Sequence, residues 1–394
     1  MTSKTPRYVW QQPSWPNLTF DAAKVLSDLV SAHRQLAALE AKAQAMGFAV
    51  DEDLSINAFI DEVQATAAIE GQSLQFDAVR SSVMNRLGVE VSGPVDRSVD
   101  GLVAVVDDAM QRHGTALDHE RLHGWQAALF PTGRSGIERI AVGRYRDHPE
   151  PMQIVSGIVG RETVHYEAPP SEQVHREMER FLDWFAETAP GRSSAVTIDP
   201  IARAGIAHLW FEVIHPYEDG NGRIGRAIID MAMAQSHSAG QGPGPHRVLR
   251  LYSLSRQILD SRSDYYSALN AASRGGTDVT AWVGWVGRQI AAACERASLV
   301  MDSALAKRAF WQQHDARLND RQRKVLRRLV EAGNGGFLGG LNVEKYMKLT
   351  GAPKTTATRD LGHLVAGGQL RTVGVGKAVR YYVTVPGWDH GIRW

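Results

Sequence analysis

One cysteine, Cys294, occurs in 394 residues. An intramolecular disulfide and any multi-cysteine zinc site are thereby excluded, and the chain suits a reducing compartment. No run approaches the ~18 apolar residues of a membrane span, and the opening MTSKTPRYVW has no apolar signal core. A soluble, cytoplasmic protein is expected. Net charge is also scarce, at +1, but it is unevenly spread. Residues 320–394 hold 13 Lys and Arg against 5 Asp and Glu, a net +8, which leaves −7 for residues 1–319. A basic tail region of this kind suits nucleic acid, or is the solvated face of a helical domain. Internal repeats and low-complexity tracts are absent, and 43% hydrophobic residues suffice for two or three globular cores.

What is present is mostly helical periodicity. Residues 1–20, rich in Trp, Gln and Pro, are expected to lack regular structure, and Asp21 to cap the first helix. Val25, Leu26, Leu29, His33, Leu36 and Leu39 recur at three and four, with Gly47 as the stop. A second helix over 54–69 places Ile56, Phe59, Ile60, Val63 and Ala67 on one stripe. Helices follow at 75–87, 97–112, 119–129, 171–188, from Asp199-Pro200 to 214, after 222, and at 250–272 and 278–305, the last extended by a long linking helix to about 316. The β-branched stretch 152–167, with glycines at 157 and 160, predicts a hairpin. The fold class is therefore mainly α, with strands otherwise confined to 370–385.

The stretch HPYEDGNGRIGR, residues 215–226, carries the chemistry. Gly220-Asn221-Gly222-Arg223-Ile224-Gly225 spells G-x-G-x-x-G, yet a dinucleotide fingerprint needs a strand before it, and here the preceding residues are helical. A helix-loop-helix remains. Small residues before a helix N-terminus expose backbone N–H groups that, with the helix dipole, favour an anion. Arg223 and Arg226 are placed to clamp phosphate oxygens, Asp219 to hold Mg²⁺ between phosphates, and His215 to accept a proton from an attacking hydroxyl. Singly, each residue has a plainer reading: a helix cap, a turn acid, surface ion pairs. Together they are the parts of a phosphoryl or nucleotidyl transferase.

The same stretch resembles the H-x-F-x-[DE]-G-N-G-R-x-x-R signature of Fic-domain proteins, most of which are protein adenylyltransferases; Tyr217 stands where phenylalanine is usual. The resemblance implies that His215 deprotonates a Ser, Thr or Tyr hydroxyl of a target protein, which attacks the α-phosphate of ATP. It implies Asp219 as the Mg²⁺ ligand, Gly220, Asn221 and Gly222 as the anion hole, Ile224 and Gly225 as further ATP-binding residues of the loop, and Arg223 and Arg226 on the remaining phosphates. The 152–167 hairpin resembles the family's flap, so that Val164 and Tyr166 border the nucleotide, and 264–276 resembles the adenine-contacting region, with Tyr265 foremost. Aromatic packing between helices explains Tyr265 equally well. TAAIEG, residues 66–71, fits the family's inhibitory [ST]-x-x-x-E-[GN] motif: Thr66 and Glu70 share a helix face, Gly71 ends the helix, and Glu70 is implied to pair with Arg226 and block the γ-phosphate clamp. Related enzymes use the same glutamate to remove AMP, so the direction of reaction stays open.

Residues 320–332, 343–349 and 353–366 read as three helices followed by two β-rich stretches, a pattern resembling a winged helix-turn-helix. Lys354, Thr355, Thr356, Thr358 and Arg359 fall at the start of the third helix, and Lys377 and Arg380 on the wing, where DNA contacts are made in such domains. Dimerisation and protein docking are equally common uses. The expected organisation is an N-terminal inhibitory helical domain (1–95), a catalytic domain (96–305) and a winged helix (318–394). Expected partners are ATP with Mg²⁺, a protein hydroxyl, a second copy of the chain and duplex DNA. The alternatives in function are an enzyme that removes AMP, a transferase moving another phosphate-linked group, and a nucleotide-sensing transcriptional regulator.

Overall fold

The computed structural model describes residues 6–390 except 47, 90, 92, 94, 95, 157–162, 192–196, 240–247, 249, 335 and 338. It divides into two compact units, Met1–Ala297 and Ser298–Trp394.

In the first unit the described elements are helices α1 (Ala22–Met46), α2 (Phe48–Ile69), α3 (Phe76–Arg86), α4 (Arg97–Gln111) and α5 (His119–Leu129), strand pairs β1 (Arg134–Ser135) with β2 (Glu138–Arg139) and β3 (Gln153–Ser156) with β4 (Thr163–Glu167), then α6 (Ser171–Glu187), α7 (Pro200–Ile214), α8 (Asn221–Ala239), α9 (Leu254–Asp260), α10 (Arg262–Arg274) and α11 (Thr280–His314), whose residues from Ser298 on belong to the second unit. The centre is α7. Asp199 caps it through Ile201 and Ala202, Pro200 opens it, and every residue from Ile201 to Ile214 is buried. A helix apolar all round must be enclosed by others, and α7 packs on α8, with α6, α10 and the N-terminal turn against its remaining faces. α4, strongly amphipathic, turns Leu102, Val103, Val106 and Ala109 inward and packs on α5 and α8.

Several boundaries differ from the sequence reading. The first twenty residues are anchored, because a short 3-10 turn at Val9–Gln11 buries Tyr8 and Val9, and Trp10 and Trp15 donate their indole N–H groups to the Glu167 carbonyl and the Glu177 carboxylate. Asp21 does cap α1, accepting from Ala23 and Lys24. Leu26, expected on the buried stripe, is exposed; the burial falls instead on Val25, Leu29, Ala32, Leu39 and Ala43. α2 begins at Phe48, six residues earlier than its apolar stripe indicated, whereas the expected stop at Gly47 and the glycines 157 and 160 lie outside the described residues. The region 250–272 is two helices that change direction at Ser261. The β1–β2 pair carries no sequence signal beyond its turn, Gly136 having φ +57°.

In the second unit, α12 (Asp320–Glu331), α13 (Val343–Thr350) and α14 (Lys354–Ala366) precede an antiparallel hairpin of β5 (Leu370–Val373) and β6 (Arg380–Val383). Gly351, at φ +72°, ends α13 three residues before α14 begins. Val325, Leu326, Leu329, Tyr346, Ala357, Leu361, Leu364, Leu370 and Val383 form its core, with Phe310 from the last turns of α11. A boundary at 318 would cut Phe310 away from that core. Buried Asp360 ties three helices together by accepting from Arg321 and the Tyr346 hydroxyl.

Candidate active site

Helix α7 ends at His215 because the chain turns left-handed there, with φ +50° and a cap from His215 N–H to the Phe211 carbonyl. The carbonyls released at that end are collected by a residue that no motif or periodicity marks. Arg146, fully buried, donates to the carbonyls of His215 (2.8 Å), Ile214 (3.2 Å) and Pro169 (2.6 Å) and to the Ser171 hydroxyl (3.0 Å). Burial lowers its pKa to about 10, so it stays charged at neutral pH. The turn beyond is closed by Asn221, whose side chain accepts from Tyr217 N–H and donates to the Tyr217 carbonyl. Tyr217 is fully buried, and its hydroxyl, 3.1 Å from His123 Nδ1, has the partner that a phenol in a core requires.

Gly220 sits at φ +94°, and a Cβ there would press on Phe130 and Leu129. Helix α8 starts at Asn221, just after Gly220, so Asn221 and Gly222 carry its first N–H groups, which have no intrahelical partner, while Ile224 and Gly225 lie on its inner face: Ile224 is fully buried, and Gly225 rests against His208 and Glu212. Arg223 lies over the Phe130 ring at 4.9 Å, donates to Asp219 at 3.3 Å and to Gln72 at 3.3 Å, and keeps a buried Nε without a partner among the described residues. Asp219 is 36% exposed and also accepts from Ser135 on β1.

Arg226, buried one turn further along, meets α2. Its Nε donates to the Thr66 hydroxyl at 2.7 Å, and one terminal nitrogen donates to the Thr66 carbonyl at 2.9 Å and to Glu70 at 2.8 Å; the other terminal nitrogen is buried without a partner. Gly71 turns at φ +79° just after Glu70, ending the helix so that the carboxylate reaches the loop. A Cβ at Gly222 would collide with that carboxylate, so Glu70 lies across the mouth of the glycine turn.

Two buried groups next to His215 had no part in the sequence reading. Glu212, one turn back on α7, places a carboxylate oxygen 3.8 Å from His215 Nδ1, and its other oxygen is unpartnered among the described residues. Its pKa is raised to about 8 by burial, with nearby Glu70 adding to the rise. His208 donates to or accepts from the Tyr265 hydroxyl at 2.9 Å and is held at about 3 by burial and then by Arg226. Burial likewise takes His215 down to about 4, with Arg146 contributing. At neutral pH His215 is a neutral imidazole able to take a proton. The i, i+3 spacing of Glu212 and His215 was the available signal for the first of these.

Other expected contacts fall elsewhere. Tyr166 is buried, its hydroxyl donated to the Val213 carbonyl and its ring edge-on to Tyr8, so it buttresses α7 and does not line an open face. Val164 lies in β4 opposite Val155 across a pair with a register shift, and the segment joining the strands is outside the described residues. Tyr265 is buried against His208, Trp282 and Trp285. Its neighbour Tyr266 is the exposed one, and donates to the Ile69 carbonyl at the end of α2. In the second unit Lys354, Thr355, Thr358 and Arg359 are exposed at the start of α14, Thr356 half so, and Arg380 is half-buried on β6; the side chain of Lys377 lies outside the described residues.

Residues 116–233 match the Fic/DOC family, and residues 8–89 match a domain of unknown function, DUF4172. Protein adenylyltransferase fic-1 of Caenorhabditis elegans is 30% identical over 125 residues, covering 32% of this chain and 20% of the relative. Protein adenylyltransferase Fic of Nematostella vectensis is 22% identical over 232 residues, 59% of this chain and 47% of the relative. The chain thus spans a fifth to about half of the length of these curated relatives. A solved Fic family protein from Desulfovibrio desulfuricans G20 aligns over 91% of this chain and 97% of its own, at 20% identity and a TM-score of 0.48. The family match and the curated relatives support a Fic domain within residues 116–233. No helix among the described residues is long and apolar enough to cross a membrane.

Proposed function

We propose that the chain is a protein adenylyltransferase that moves AMP from ATP to a Ser, Thr or Tyr hydroxyl, and that Glu70 restrains it by pairing with Arg226. The observation that carries this reading is the cluster of unsatisfied buried donors at the 215–226 loop: Arg223 Nε and one Arg226 terminal nitrogen have no partner among the described residues, beside free helix N–H groups. Buried donors left open at a helix N-terminus suit a polyanion. The names of the relatives, adenylyltransferases, point to ATP as that anion.

His215 takes the proton of the target hydroxyl; the hydroxyl oxygen bonds to the α-phosphorus as the bond from that phosphorus to the bridging oxygen breaks, and pyrophosphate leaves with its electron pair. Asn221 and Arg146 hold the turn that aims His215, and Arg223 and Arg226 hold phosphate oxygens by charge-assisted hydrogen bonds. Asp219, a hard carboxylate donor at the loop's edge, fits Mg²⁺, which when bound neutralises phosphate charge. With Glu70 on Arg226, one γ-phosphate donor is occupied and a negative charge stands where the phosphates belong. The test is labelling by radioactive ATP in lysate: Glu70→Gly should increase self- and target labelling at least several-fold, and His215→Ala should abolish it. Equal labelling by wild type and Glu70→Gly overturns the inhibitory role; loss of AMP from pre-modified protein, without addition, points instead to removal.

For Ser298–Trp394 the helix pair α13–α14, the β5–β6 hairpin and the exposed Lys354, Thr355 and Arg359 favour a winged helix that binds duplex DNA.

A further inference from the structure

Away from the loop, α5 and α6 bring three potential ligands to one surface point. The ligand atoms of His119, His175 and Glu179 all lie within 4.8 Å of one another. The His119 and His175 rings stack at 4.8 Å and 26°, and His175 Nδ1 is 3.3 Å from Glu179 Oε1. That last spacing matches the ~3.3 Å ligand-to-ligand edge implied by bonds of ~2.0 Å about a tetrahedral ion. His175 and Glu179 are four apart on α6, so one helix face presents both.

The sequence invites a different grouping. HERLH, residues 119–123, spells H-E-x-x-H on α5, in which both histidines would bind one zinc and Glu120 act as base. The fold separates them. His123 turns inward to the Tyr217 hydroxyl beneath the 215–226 loop, and only His119 faces α6. The second ring nitrogen of His119, Nδ1, is held by the Tyr145 hydroxyl at 2.7 Å, the kind of outer contact that fixes a ligand's tautomer and ring orientation.

We infer that His119, His175 and Glu179 form a binding site for a divalent cation of the zinc class, a two-histidine, one-carboxylate set with an open fourth position. The site is independent of the adenylyltransferase reading. Imidazole donors select Zn²⁺, Ni²⁺ or Co²⁺ over Mg²⁺. A bound ion would join the first turn of α5 to the middle of α6.

The test is calorimetric titration of untagged full-length protein with Zn²⁺, together with Co²⁺ absorption. Expected is one saturable equivalent, unaffected by millimolar Mg²⁺, with visible Co²⁺ bands of four- or five-coordinate intensity. His175→Ala and Glu179→Ala, both at largely exposed positions, should weaken that equivalent by at least tenfold while leaving the melting temperature of the metal-free protein unchanged. Absence of a stoichiometric equivalent in the wild type, or one retained at equal affinity in both variants, overturns the site.

Discussion

At the residue scale the site turns on which groups carry protons. His208 and His215 are held near 3 and 4 by burial, against 6.5 for a free imidazole, and Glu212 is pushed up to about 8 from 4.5. The unfolded chain therefore binds protons on both histidines first as pH falls below 6.5, so their contribution takes stability away toward pH 4. Glu212 acts in the opposite sense: its protonated form is favoured by the fold, and that contribution is lost as pH rises through about 8. In histidine NMR titrations the Cε1 protons of His208 and His215 should stay still from pH 8 to 5.5; a His215 midpoint above 6 contradicts the burial argument. In urea unfolding, Glu212→Gln should flatten the decline of stability between pH 6 and 8, and an unchanged slope would show that Glu212 is already ionised at neutral pH.

At the element scale, α2 has an anchor and a latch. Glu62, buried, accepts from the Ser253 hydroxyl and from Ser255 N–H and hydroxyl, and pairs with Arg250, which also holds Asp230 of α8. Asp61 adds a pair with Arg256 on α9. Glu70, a third exposed, reaches Arg226 from the residue just beyond the end of the same rod. Removing one partner of a buried network leaves uncompensated charge and costs about 3–5 kcal/mol, whereas loss of the partly exposed Glu70 leaves Arg226 bonded to the Thr66 hydroxyl and carbonyl and should cost less. Glu62→Ala should lower the urea midpoint sharply and Glu70→Gly barely; comparable losses would mean that the latch is structural. With α2 held this firmly, release of Arg226 falls to movement of the Glu70 side chain about Gly71, not to departure of the helix.

At the scale of the whole molecule, the chain has two separately packed units, and the cut between them matters. A 298–394 fragment keeps Phe310 and the His314–Gln369 contact and should unfold cooperatively by circular dichroism. A 318–394 fragment lacks both and should be less stable by about 3–5 kcal/mol, the usual loss for a buried phenylalanine; equal stabilities would remove Phe310 from the core. Titrated with duplex DNA, the longer fragment should bind at low salt and weaken steeply as salt rises, since its +9 charge acts through counterion release. No binding at low salt would leave docking as its use.

By itself the sequence determined what local chemistry can write. Asp199-Pro200 starts a helix, Gly71 and Gly351 end two, and residues 215–226 put base, acid, glycines and arginines in one loop because their roles need only neighbours along the chain. The 66–71 and 215–226 motifs were each legible, and their meeting at Arg226 was implied by resemblance alone. The tertiary structure decided everything that depends on burial and on distant partners. It brought Arg146 to the end of α7, Glu212 and His208 beneath the loop, Tyr265 into the aromatic core in place of Tyr266, and His175 with Glu179 beside His119. None of these has a periodic signature, since a hydrogen bond spanning 69 residues, as from Arg146 to His215, follows from how helices pack and not from the order in which they are written.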